Sequence, residues 1–294
     1  MFLSLDPQKA GDPVLYSLRS LVARGRHAEA DRLARVENRR LLPGHGRLFL
    51  AVRAEIALGL GRFAAALEWA CEALRGLDPC SGLTRSLEGS RIRALLGLGR
   101  LREARVLVES QFAVLDSGGV DLSLFRGQVA LHSGRLADAA QAADHACSAA
   151  VSTGQRSKLV EALLLRARAA RETGNAGGAR DDLDRAQRLS NGLRDTSTLA
   201  AVLSDRADLL AHSGDWTEAA RNAGQSGRLF ARASSPHEYL SAGRRTGLLS
   251  LAQGNANEAL PTIERAADIA RRGFGTTGGR AEIGVFVASG RKPR

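Results

Sequence analysis

Lysine is nearly missing from this chain. Only Lys9, Lys158 and Lys292 occur among 42 basic residues, and the other 39 are arginines. With so much Ala and Gly beside them, the arginines point as much to GC-rich coding as to selection for phosphate binding. Cysteine is scarce as well. Cys71, Cys80 and Cys147 form no Cys-x-x-Cys pair, which argues against a disulfide framework and fits a reducing compartment. Aromatics make up 4% of the chain, with 7 prolines and 1 methionine. Without Val/Ile/Thr/aromatic enrichment a sheet protein is excluded, and the chain reads as all-α. No apolar run approaches the roughly 18 residues of a membrane span. Met1–Lys9 lacks a basic region followed by an apolar one, so no signal peptide is expected and a cytoplasmic location is.

The net charge of +11 invites a nucleic-acid reading, but its distribution tempers it. Residues 1–120 carry 18 basic and 13 acidic groups, residues 121–220 carry 12 and 13, and residues 221–294 carry 12 and 5. The ends are basic and the middle is neutral. A protein threading RNA along its whole length should not have a neutral centre.

What the chain has in abundance is one phrase. Gly, four residues, then Ala recurs at Gly25–Ala30, Gly61–Ala66, Gly99–Ala104, Gly134–Ala139, Gly174–Ala179, Gly214–Ala219 and Gly254–Ala259. Successive glycines are 36, 38, 35, 40, 40 and 40 residues apart. An apolar-periodic stretch precedes each glycine and another follows, as in Ala179, Leu183 and Ala186, so each unit predicts two helices. The glycine ends the first helix in the left-handed conformation, and the alanine marks close helix approach. Leu42-Pro43-Gly44, Leu77-Asp78-Pro79, Ser152-Thr153-Gly154, Asp195-Thr196-Ser197 and the capping box Ser235-Pro236-His237-Glu238 separate the units.

Gly214-Asp215-Trp216-Thr217-Glu218-Ala219 resembles the inter-helix signature of the tetratricopeptide repeat, and the copies at Gly25, Gly99 and Gly254 are close variants. Gly127, Ala167, Ala207 and Gly247 fit its small-residue positions, whereas Ile92 departs from them. The period resembles the longer variety found beside effector domains of bacterial transcription regulators. The resemblance implies an α-α superhelix of about seven hairpins over residues 1–272, with a concave face of first helices that holds partner peptides or helices. Residues 273–294, a Gly-rich basic tail, are expected to be disordered. Because no polar capping helix is evident, self-association through the last repeat is a further expectation.

Eight residues before successive glycines stand Arg53, Arg91, Arg126, Arg166 and Arg206; six before stand Arg19, Arg93 and Arg168. One reading is a stripe binding an acidic partner segment through guanidinium forks. The other has their stems on the seams between units and their heads on Asp181, Asp182, Asp184, Asp205 and Asp208. His132 and His212 are equivalent last-turn residues two units apart, without a metal-ligand set around them. The tail Gly273-Phe274-Gly275-Thr276-Thr277-Gly278-Gly279 lacks the Lys-Ser/Thr ending of a phosphate loop. No catalytic constellation and no cofactor motif stands out. The expectation is a non-catalytic scaffold or sensor that binds protein or peptide in its groove. The alternative is a regulatory module of transcription with nucleic-acid contact through its basic ends.

Overall fold

The computed structural model describes residues 12–37, 44–78, 81–114, 119–193, 196–232 and 236–274. Fourteen α-helices fill them, as α1 Pro13–Ala23, α2 His27–Glu37, α3 Gly46–Gly59, α4 Phe63–Leu74, α5 Gly82–Gly97, α6 Leu101–Val114 and α7 Val120–His132, followed by α8 Leu136–Ser152, α9 Arg156–Glu172, α10 Ala176–Leu193, α11 Thr196–His212, α12 Trp216–Arg232, α13 Pro236–Ala252 and α14 Ala256–Phe274. Each odd helix pairs with the next as an antiparallel hairpin, giving seven units. The helical array therefore runs through Phe274, and residues 275–294 of the tail lie outside the described residues.

All seven repeat glycines sit at positive φ, from 71° at Gly25 to 82° at Gly214. The following residue donates its N–H to the carbonyl four residues before the glycine, as in Arg135 to Ala130 at 2.9 Å and Asp215 to Leu210 at 2.9 Å. That is the Schellman closure, which satisfies carbonyls the helix end leaves open. Gly154 makes the same turn between α8 and α9, at a joint between units.

The alanine five residues on is sealed in every copy: Ala30, Ala66, Ala104, Ala139, Ala179 and Ala219 are fully buried and Ala259 is 1% exposed. Glycine serves the same close approach in α7, where a Cβ on Gly127 would stand 2.5 Å from Leu165 Cδ2 and 3.3 Å from Ala142 Cβ. Cores such as Leu163, Val160, Leu183 and Val202 then fill the space between units. Asp12 caps α1 through Val14 N–H at 2.9 Å, and Ser81 caps α5 through Thr84 N–H at 3.0 Å. Ser235 of the expected capping box lies outside the described residues, and Glu238 Oε2 is buried without a partner.

Successive first helices pack on one another, from α1 on α3 through α9 on α11, while among the described residues the second helices show no comparable packing. The stack is therefore tighter along its first-helix side, which forms the inner wall. No described helix is long and apolar enough to cross a membrane.

Candidate functional site

The inner wall carries the side chains six and nine residues before each glycine. In α3 and α5, Glu55 Oε1 accepts from Arg93 Nη2 and Ser90 Oγ, both at 2.6 Å. Burial pushes the Glu55 carboxyl up, but Arg93 and Ser90 more than offset it and hold the group below its ordinary range. In α9, α11 and α13 the wall carries an ionic chain in two separate pieces. Arg168 Nε meets Asp205 at 2.8 Å, and Arg171 Nη1 meets Asp208 at 3.4 Å. Arg245 reaches back from α13 to grip Asp208 through Nε and Nη2 and donates from Nη1 to Ser204 Oγ at 2.7 Å. Burial raises the Asp205 carboxyl, with Arg168 opposing; the same pairing lifts Arg168 above its usual value. Such a wall presents fixed donors and acceptors in alternation, suited to an extended backbone and its charged ends.

The row eight before the glycine is turned away from both, by about 200° from the row six before and about 100° from the row nine before. It looks outward, between successive second helices. Arg53 lies 3.8 Å above the Trp69 ring centroid on α4 and 5.9 Å from that of Phe49. Burial pulls its pKa down. Arg91 Nη1 bonds Glu88 on its own helix at 2.8 Å. Arg126 is exposed on α7. Arg166 spans the outer groove, holding Asp182 on α10 through Nε at 2.8 Å and Nη2 at 2.5 Å, and Asp144 on α8 through Nη1 at 2.8 Å. Arg206 bonds Asp184 on α10.

The five arginines thus share a register but not a neighbourhood, and none of them joins the inner chain. Asp182 and Asp184 pair with this row, as one sequence reading has it. Asp205 and Asp208 do not: they face the inner wall, where Arg168, Arg171 and Arg245 hold them. Arg168 was visible in the sequence as a second row. Arg171 and Arg245 were not, because they stand three and nine residues before their glycines and share no repeat position. His132 and His212 close α7 and α11 at the surface, and no metal-ligand cluster occurs among the described residues. Trp216, 40% exposed, is only partly packed.

No protein-family model matches the chain, and no curated protein matches its sequence. Solved structures do match its fold. A Rap protein complexed with competence and sporulation factor superposes with a TM-score of 0.64 at 12% identity, over 97% of this chain and 84% of that one. NprR in complex with its cognate peptide NprX gives 0.57 at 15% identity, over 93% and 81%. A signal transduction ATPase with a tetratricopeptide repeat sensor from Pyrococcus horikoshii gives 0.54 at 12% identity, over 97% and 48%. At these identities the likeness is one of architecture, and the architecture is that of the tetratricopeptide-type α-α superhelix.

Proposed function

We propose that the chain is a non-catalytic, cytoplasmic scaffold or sensor that binds a peptide or protein segment along its inner wall. The observation that carries this reading is the ionic chain Arg168–Asp205 and Arg171–Asp208–Arg245, which lays paired donors and acceptors along three successive first helices. The likeness to folds solved with NprX and with competence and sporulation factor supports it. A display library of random peptides selected on the full chain tests it. Enriched peptides bind the native protein, lose about tenfold or more in affinity with Asp208→Asn combined with Arg245→Gln, and are unaffected by Arg126→Glu on the outer row. Failure to enrich any peptide, or indifference to the inner-wall change, sinks the reading. Loss with Arg126→Glu alone moves the site to the arginine row and an acidic partner.

A second reading rests on the basic ends, where residues 221–294 hold 12 basic against 5 acidic groups. In it the chain is a regulatory module of transcription touching nucleic acid. A steep salt dependence of binding to nonspecific DNA supports it, and no binding at low salt ends it. Leu248, Leu251 and Leu260 are exposed on the last unit, where self-association would occur; light scattering after size exclusion decides that point.

A further inference from the structure

The outer groove between α10 and α12 is built like the one before it, with one group missing. Between α8 and α10, Arg166 ties both walls together through Asp144 and Asp182. One unit on, Arg206 stands at the same position, and Asp184, ten residues after its glycine as Asp144 is, supplies the first wall. The residue matching Asp182, eight after the glycine, is Asn222. Its amide donates to the Glu218 carbonyl at 2.8 Å and carries no charge for Arg206. Arg206 Nε is consequently buried without an acceptor, and among the described residues its Nη1 makes no bond either.

Where the second carboxylate is lacking, the groove stays open. A cavity of about 570 Å³ lies there, floored by Leu183, Leu203, Leu209 and Leu210, with Arg180 and Arg221 at its rim. That volume falls within the range of small-ligand sites. Arg221 is paired with Glu218, while Arg180 bonds nothing among the described residues, so the site keeps a surplus of positive charge. We infer that this outer cleft is a binding site for a small monocarboxylic acid with an apolar body. Its carboxylate takes the place that Asp182 fills beside Arg166, and its body lies on the four leucines. The site is separate from the inner wall and stands whether or not that wall binds peptide.

Calorimetric titration of the full chain with octanoate and 4-phenylbutyrate, against octanamide as the neutral control, tests this. Both acids bind the native protein and the amide does not. Arg206→Gln weakens the acids by about tenfold or more, the usual loss of a charge-assisted pair. Asn222→Asp, which restores the internal carboxylate, abolishes binding and raises the Tm without ligand. Failure of both acids to bind, equal binding of the amide, or undiminished binding by the folded Asn222→Asp protein overturns the inference.

Discussion

The imidazole of His27 lies across Gly59 so closely that a Cβ there would stand 2.4 Å from its ring carbons. Phe63 covers Gly97 in the same way at 2.5 Å. In both, the second residue after one repeat glycine packs on the second residue before the next, so a ring from one unit fits a gap in its neighbour. Gly97→Ala is expected to destabilise the protein by about 1–3 kcal/mol through overpacking. Gly192→Ala, where a Cβ meets nothing within 4 Å, should instead stabilise it by about 0.5–1 kcal/mol through helix propensity. Urea denaturation of the two variants measures the contrast.

Arg166→Gln should cost about 2–4 kcal/mol, because it leaves the buried Asp182 carboxylate without its fork. Asp144→Asn removes only the exposed arm and should cost less than about 1 kcal/mol. Equal losses in chemical denaturation would mean that burial of Asp182 does not set the strength of the joint.

Two groups give the fold opposite responses to pH. Burial pushes the Glu238 carboxyl up to about 7, above the ordinary 4.5 it regains on unfolding. The folded state therefore holds the extra proton, and this contribution to stability is complete below about 4.5 and is lost as pH rises through about 7. Glu238→Gln should flatten the fall between those values, read as Tm against pH. Burial lowers the His27 pKa below its ordinary 6.5, so its contribution is present above that value and is lost as pH falls through the lowered one. His27→Phe should blunt the acid limb of the same curve.

Asp208 ties α9 to α13 across α11. Asp208→Ala should cost about 1–3 kcal/mol by leaving Arg171 and Arg245 partly buried without their shared acceptor. In double-mutant cycles Asp208 should couple to Arg245 more strongly than to Arg171, since Arg245 bonds it twice. Additive losses would show that the three act independently.

The repeat was legible in the chain because backbone geometry writes it there. Gly25 and its six counterparts need positive φ, and Ala30 and its counterparts have no room for more than a methyl. The direction of the arginines was not. Arg166 and Arg168 are equally good candidates on paper. Which way each points depends on how far each unit turns on the last, and no residue encodes that by itself. Asp205 illustrates the difficulty, standing beside Arg206 in sequence and bonding Arg168 instead. Phe63 and Trp216 occupy the same repeat position, yet one presses on Gly97 and the other remains partly exposed.

First helices that touch and second helices that stand apart make the array a strip stitched along one edge. Such a strip has one soft coordinate. Its pitch can widen or narrow by opening and closing the outer grooves while the stitched edge holds. The groove crossed by Arg166 is pinned on both sides and the next, at Arg206, on one. The spring is therefore weaker between the fifth and sixth units than between the fourth and fifth. Whatever fills that gap sets the pitch of the wall on the opposite side.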